Sequence, residues 1–315
     1  MQPIYPSYLA IEDFTPIISR LRDFLNPCRV CPWGCGVNRS PGDEVRNPIA
    51  GDKSKNGSLG RCETGYLPRV ASYDLHFGEE KPISGYRGSG TIFFSGCSLA
   101  CVFCQNYTIS QYGYGYEISI EELARYMLEL QHRGAHNINL VTPTHFVPQI
   151  VEALSVAIKR GLSIPIVYNS SGYDRLEVLK LLDGIMDIYL PDLKYSSNEM
   201  AFKYSGIKNY VEVSRKAIAE MFRQVGPLVT NTRGVALRGI LVRHLVLPND
   251  IAGTEECLRF LRDVSPEIPV NVMSQYYPTY RAHLYPELNG RITSEEFETA
   301  VRLLDKFGLK NGMFS

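Results

Sequence analysis

The stretch Thr91-Ile92-Phe93-Phe94-Ser95-Gly96-Cys97-Ser98-Leu99-Ala100-Cys101-Val102-Phe103-Cys104 runs from an apolar strand candidate straight into three cysteines spaced C-x3-C-x2-C. Three thiolates on one short loop hold three irons of a [4Fe-4S] cube whose usual complement is four cysteines, so one iron stays open. An open metal position belongs to a site that reacts. A structural zinc site, or a ferredoxin-type cluster completed by a distant fourth cysteine, is the competing reading, because close-set cysteines are general metal ligands.

Around this loop lie 315 residues, 44% hydrophobic and 21% charged, a composition typical of globular chains. That length allows two average domains or one barrel with an appendage. The 33 basic residues are cancelled by 33 acidic ones, which argues against a nucleic-acid binder relying on phosphate neutralisation. The sequence shows no charged leader feeding an apolar segment and no run of eighteen apolar residues. The expectation is therefore a cytoplasmic protein with no membrane partner.

Eight cysteines in such a chain read as metal ligands before disulfides. Beside the trio stand Cys28, Cys31, Cys35 and Cys62, with Cys257 alone in a helical first turn as a small buried hydrophobe. The stretch from Cys28 to Cys62 is rich in Gly, Pro, Asn and Ser and too poor in apolar residues for a core of its own, so a metal is the natural cross-link. Four thiolates fit either zinc or a complete iron–sulfur cluster, with a structural or electron-relay role. The segment His76-Phe77-Gly78-Glu79-Glu80 offers a histidine beside two carboxylates, an acid–base pair or metal site by chemistry. Set among glycines, it reads more readily as a solvated loop bridging two regions.

From residue 91 onward, short apolar strands alternate with amphipathic helices. Strands are expected at 91–94, 137–141, 164–168, 186–190, 240–246 and 269–273. Helices are expected at 11–25, after Ser119 with Glu122 as its capping partner, at 147–158, 173–182, 211–225 and 254–263, and from Thr293 with Glu296 in a capping box. Six strand–helix units imply a parallel sheet with right-handed crossovers, too few for a closed eight-stranded barrel. The fold class expected is α/β, a partial (β/α)6 TIM-like barrel over residues 86–315, preceded by a cysteine-rich metal-binding region and bridge over residues 1–85. Chemistry in such sheets gathers where the strands end, and each predicted strand ends in a polar cluster. These are the cysteine loop, Thr142-Pro143-Thr144-His145, Asn169-Ser170-Ser171-Gly172, Asp192-Leu193-Lys194, Arg243-His244 before Leu247-Pro248, and Ser274-Gln275-Tyr276.

With the C-x3-C-x2-C loop, the aromatic Phe103 before its last cysteine and the partial barrel, the chain resembles the radical S-adenosylmethionine (SAM) superfamily. The segments Cys28-Arg29-Val30-Cys31-Pro32, His76 to Glu80, Gly88 to Asn106, Thr142 to His145, Pro191 to Lys194 and Arg243 to Pro248 resemble its pyruvate formate-lyase activating enzyme-like, PflX-type subfamily. The resemblance implies that Cys97, Cys101 and Cys104 hold a [4Fe-4S] cluster whose fourth iron is chelated by SAM. It implies that Thr142 and Thr144 stand where many members carry Gly-Gly-Glu for the SAM amino group. Asn169 and Ser171 would meet the ribose, and Lys194 the SAM carboxylate. Asp192 would help bind a monovalent cation, Arg243 would add a planar cationic fork, and Gln275 completes the cofactor-binding set. The activity implied is reductive cleavage of SAM and abstraction of hydrogen from a protein substrate, a backbone glycine among the choices, or from a small molecule. The electron donor would be a ferredoxin or flavodoxin. A non-enzymatic iron–sulfur electron carrier or a zinc-stabilised binding module remains the alternative.

Overall fold

The computed structural model describes residues 5–41, 59–309 and 313–314; most of the Gly- and Pro-rich stretch between Cys35 and Cys62 lies outside them. The strands are β1 (Arg69–His76), β2 (Ser89–Phe94), β3 (Tyr116–Glu117), β4 (Ile138–Val141), β5 (Ile166–Ser170), β6 (Ile188–Pro191), β7 (Val229–Thr230), β8 (Ala236–Ile240), β9 (Val242–Leu245), β10 (Val270–Met273) and β11 (Met313–Phe314). The helices are α1 (Thr15–Arg22), α2 (Lys81–Ser84), α3 (Tyr107–Ser110), α4 (Ile120–His132), α5 (Val147–Lys159), α6 (Leu176–Lys180), α7 (Asn198–Ser205), α8 (Tyr210–Val225), α9 (Thr254–Val264) and α10 (Ser294–Phe307).

An eight-stranded sheet has the order β3-β1-β2-β4-β5-β6-β8-β7, and a three-stranded one the order β11-β10-β9. β2, β4, β5, β6 and β8 pair in parallel, as do β9 and β10. The two sheets join where Asp192, just past β6, bridges Arg243 in β9 and the Leu193 amide donates to the Arg243 carbonyl at 2.8 Å. The result is the expected α/β partial barrel of six parallel strand units, the fifth split into β8 and β9.

The local chemistry explains the boundaries. Ser119 accepts from the Glu122 amide, and Thr293 with Glu296 forms a full capping box. β5 starts later than the apolar run suggests, at Ile166, whose amide donates to the Asp187 carboxylate at 3.0 Å. The helix expected at 173–182 shrinks to α6, because Asp174 is drawn inward by three hydroxyls and holds residues before it in a loop. α7, capped by Ser197, has no counterpart in the sequence reading.

β1 is the larger departure. It pairs antiparallel with β2, from Val70 opposite Phe94 to His76 opposite Ser89. The His76–Glu80 segment is therefore a hairpin connection at the end of the barrel where the parallel strands begin. Ile83 of α2 packs there with Val167, Ile188, Leu190 and Leu241. The main core lies between the sheet and α4, α5, α8 and α9, where Leu123, Met127, Ile150, Leu154, Ile218 and Leu261 are all fully buried. Among the described residues no helix is long and apolar enough to cross a membrane.

Candidate active site

β2 delivers the cysteine loop. Gly96 turns the chain with φ +79°, and a Cβ there would stand 2.4 Å from the Cys62 carbonyl oxygen, so only glycine lets the two cysteine regions pack this closely. Beyond it the loop is clamped by backbone hydrogen bonds. The Ala100 amide donates to Ser205 O at 3.0 Å and the Val102 amide to Tyr204 O at 2.9 Å, while Val102 O accepts from the Arg281 amide at 2.8 Å. The Ser205 hydroxyl donates to Cys101 Sγ at 2.9 Å, and Cys104 Sγ lies 3.2 Å from Ser110 Oγ.

Burial pushes the Cys97 thiol up to about 12, with Cys101 and Cys104 beside it adding to the effect. Burial also pushes Cys101 up to about 11, opposed by the Lys194 ammonium. Three neighbouring thiols, of which buried Cys97 and Cys101 resist ionisation on their own, are a donor set suited to a bound metal centre, which supplies the missing positive charge.

The N-terminal cysteines also converge. Burial pushes Cys31 up to about 12, with Cys62, Cys28 and Cys35 all close enough to contribute. Cys35 Sγ accepts from the Arg61 amide at 3.2 Å, and Cys62 Sγ lies 3.1 Å from Thr64 Oγ1. The four thiols are neighbours, although among the described residues no group of three or more His, Cys, Asp or Glu side chains forms a ready-made single-ion site. This region is fastened to the barrel. Trp33 Nε1 donates to Ser98 O at 2.7 Å, inside the other cysteine loop, and Arg175 Nη2 donates to Cys31 O at 3.2 Å. Buried Arg39 donates to Gly65 O at 2.9 Å and to His145 O at 2.8 Å.

Four residues from three other strand ends form one charged network. Arg243 Nε donates to Asp192 Oδ1 at 2.9 Å and Nη2 to Asn169 Oδ1 at 2.7 Å, while Lys194 Nζ donates to Asp192 Oδ2 at 2.6 Å. Burial alone would raise the Asp192 pKa, but Arg243 and Lys194 together hold it below the ordinary carboxylate value. Burial would lower the Lys194 pKa, and Asp192 outweighs it. The Tyr210 hydroxyl fixes the two loops together, accepting from the Lys194 amide at 2.9 Å and donating to Ser171 O at 2.9 Å and Asp192 O at 3.0 Å. Gly172, at φ +73°, passes so close to Asp192 O that a Cβ would sit 2.4 Å away.

Other site residues fall differently. Ser171 Oγ, just past β5, is buried with no hydrogen-bond partner among the described residues. The Thr144 hydroxyl is turned away, donating to Asp174 Oδ1 at 2.7 Å alongside Tyr168 and Ser170. Thr142 occupies the left-handed region at φ +60°, its amide donating to Asn169 O at 2.9 Å. Gln275 is held near the cysteine loop, its carbonyl accepting from Gln105 Nε2 at 3.0 Å.

Of these groups Asn169, Arg243 and Gln275 line the barrel lumen, a cavity of about 700 Å³ that also has Phe93, Val141, Asn271 and Met273 on its wall and Asn106 toward the cysteine loop. Glu79 and Glu80 also line it. They are not solvated: their side chains are only 10% and 5% exposed, and Arg243 lies 3.4 Å from Glu79 and 4.0 Å from Glu80. Sequence reasoning undervalued this pair because a hairpin that folds back under a barrel has the same composition as one that faces water. The inward register of Asn139 on β4 was a signal that the lumen is polar.

Residues 91–246, from β2 to just past β9, match the family model described as "Radical SAM superfamily". The chain belongs to the radical SAM superfamily. An uncharacterised protein of Methanocaldococcus jannaschii, MJ0674, is 35% identical over 298 residues, covering 91% of this radical SAM chain and 77% of that protein. Among solved structures, the FeFe-hydrogenase maturase HydG from Carboxydothermus hydrogenoformans aligns with a TM-score of 0.49 at 12% identity, covering 70% of this chain and 50% of that one. A second HydG structure aligns at 0.47 and 11%, covering 70% of this chain, which spans 48% of the HydG chain it matches. A domain of pyruvate-formate lyase-activating enzyme from Bacteroides vulgatus aligns at 0.38 and 12%, covering 54% of this chain and 91% of that domain. Superfamily membership supports a radical SAM enzyme and implies a [4Fe-4S] cluster and SAM. The three-thiol loop fits such a cluster, with the Lys194 ammonium acting on Cys101 and, at the neighbouring strand end, a buried Ser171 hydroxyl that has no partner among the described residues.

Proposed function

We propose that this enzyme abstracts a hydrogen atom from a substrate held in the barrel lumen, in the manner of the activating enzyme-like, PflX-type subfamily. The observation that carries the reading is the three-thiol loop at the end of β2 together with a lumen of about 700 Å³ whose wall includes Asn106 and Gln275, the latter tied to Gln105, the residue after Cys104. An electron carrier has no use for such a cavity. When bound, the reduced cluster and SAM together supply the one-electron chemistry; this chain's residues bind, orient and shield.

In this reading Cys97, Cys101 and Cys104 ligate the cluster and leave one iron for SAM. Lys194, already beside Cys101, reaches the SAM carboxylate, while Asn169 and Ser171 meet the ribose. Arg243 locks Asp192 and Asn169 in place. Thr142 contacts SAM through its backbone or hydroxyl, Gln275 closes the rim, and Thr144 acts through Asp174 by shaping the end of β5. A monovalent cation at Asp192 has less support, since both carboxylate oxygens already take charged donors. Cys28, Cys31, Cys35 and Cys62 hold a second metal centre, iron–sulfur or zinc. Its contact with the cluster loop through Trp33 and Gly96 would let an iron–sulfur centre relay electrons from a ferredoxin or flavodoxin. The substrate is a protein, with glycine the precedent of the subfamily, or a small molecule.

The test replaces Cys97, Cys101 and Cys104 by Ala. Anaerobically reconstituted wild type with dithionite and SAM is expected to form 5'-deoxyadenosine, and the variant to form none while losing one cluster's iron. A variant that still cleaves SAM refutes the reading.

A further inference from the structure

Glu79 and Glu80 have no part in holding SAM in the reading above, yet they sit deep in the same lumen. Glu80 Oε1 accepts from Asn271 Nδ2 at 3.0 Å, whereas Oε2 is buried and has no hydrogen-bond partner among the described residues. The Asn139 side chain, fully buried beside Glu79, has neither its amide nitrogen nor its carbonyl oxygen hydrogen-bonded among the described residues. Buried polar atoms are nearly always satisfied, so an orphaned acceptor on a cavity residue such as Glu80, with a second on Asn139 behind the wall, marks where a ligand's donors go. Charge points the same way: the carboxylates Glu79, Glu80 and Asp192 outnumber the two buried cations that face them, Arg243 and Lys194, with His76 on the same cavity wall and Lys81 at the mouth exposed to solvent. Burial holds the Glu79 pKa above its ordinary value despite Arg243, the sign of a carboxylate short of positive partners.

We propose that the floor of this lumen, Glu80 with Glu79 and Asn139, seats a primary ammonium group of the substrate, a use of the cavity that rests on the radical SAM reading above. An alkylammonium brings donors to Glu80 Oε2, which has none among the described residues, and a positive charge to a pair whose ion-pair partner among those residues is Arg243 alone, Glu79 already accepting from Arg243 Nη1 at 3.4 Å and from Asn169 Nδ2 at 3.5 Å. A divalent cation fits less well, because it requires six or more oxygens and Arg243 lies within 4.0 Å of both carboxylates. A carboxylate or phosphate would meet repulsion from the pair. The floor thus selects for an amine, whether a free alkylamine or the side chain of a lysine in a peptide, and sets its carbon chain pointing toward the cysteine loop.

The experiment uses holoprotein loaded with SAM and measures binding of n-butylamine, 1-butanol and butyrate by ligand-observed NMR at neutral pH, with an acetylated, amidated peptide bearing one internal Lys as a further arm. Selective binding of the ammonium form is expected, and the peptide arm separates a free amine from a lysine side chain. Glu80→Gln and, separately, Glu79→Gln are expected to weaken it at least about tenfold, the loss of one charge-assisted hydrogen bond. A co-crystal should place the nitrogen within hydrogen-bond distance of Glu80 Oε2. Equal binding of the three butyl probes, or no binding of either amine arm, overturns the proposal from wild-type protein alone, whatever the folding of the variants. Formation of 5'-deoxyadenosine by the same wild-type preparation is scored separately. SAM cleavage without amine selectivity sinks the ammonium site only; amine selectivity without SAM cleavage upholds the site and sinks the reading of the chemistry.

Discussion

Replacing Arg243 by Leu removes the one cation shared by Asp192, Glu79 and Glu80, at 2.9, 3.4 and 4.0 Å. With an effective dielectric constant of about 20, each pair is worth roughly 4–6 kcal/mol before desolvation. Much of that is offset in the wild type by the cost of burying the guanidinium, and Asp192 keeps Lys194 at 2.6 Å. The net loss is therefore about 3 kcal/mol, at the low end of what breaking a buried pair costs. That corresponds to a fall in Tm of roughly 6 °C. The deficit also depends on pH. Glu79 already has a raised pKa from burial, and losing Arg243 raises it further. A carboxyl with a folded pKa above its unfolded value stabilises the fold below the unfolded value, about 4.3, and loses that contribution as pH rises through the folded one. The variant should thus lie closest to wild type near pH 4–5 and furthest from it above about pH 7. Differential scanning fluorimetry of anaerobic holoprotein across that range measures both quantities, and Arg243→Lys should recover part of the loss. A pH-independent deficit, or one under about 1 kcal/mol, would refute the view of Arg243 as the keystone of the lumen charges.

Asp187, which accepts the Ser7 amide at 2.7 Å and the Ile166 amide at 3.0 Å, is pushed by burial up to about 6 from an ordinary 3.8. Its contribution is present below pH 4 and lost as pH rises through about 6, a change of about 3 kcal/mol that Asp187→Asn should abolish in denaturant titrations at the two ends of this window. Gly96→Ala must hold an alanine at φ +79° against the Cys62 carbonyl, costing about 2 kcal/mol or more; calorimetry should show Tm lower by roughly 4 °C, and metal analysis should show the N-terminal cysteines retaining less metal. Ser171→Ala should raise the KM for SAM about fivefold, for about 1 kcal/mol of hydrogen bond, with Tm unchanged. Thr144→Val should do the reverse, lowering Tm by stripping a donor from Asp174 while leaving that KM within about twofold. Steady-state kinetics beside thermal melts separate the two.

Much of this molecule is written locally. Six apolar runs, each 4–7 residues long in the sequence reading, specify six strands because their length and spacing suit buried parallel pairing. The spacing of Cys97, Cys101 and Cys104 specifies a metal-binding loop because ligands that close in sequence have few other ways to be satisfied. Polar residues following each strand marked the rim, and Asn169, Asp192, Lys194 and Arg243 do meet there. What sequence could not show was which side chains near that rim stay available. Thr144 and Ser171 look equivalent on paper, yet one hydroxyl is consumed by Asp174 and the other has no partner among the described residues. Likewise the composition of His76 to Glu80 suits water as well as a barrel floor. Only the antiparallel pairing of β1 with β2 carries the two glutamates under the lumen, because the register of that hairpin is set by contacts distant in sequence. The cysteine loop was legible from its own residues; the acidic floor of the cavity it opens onto was decided by tertiary structure.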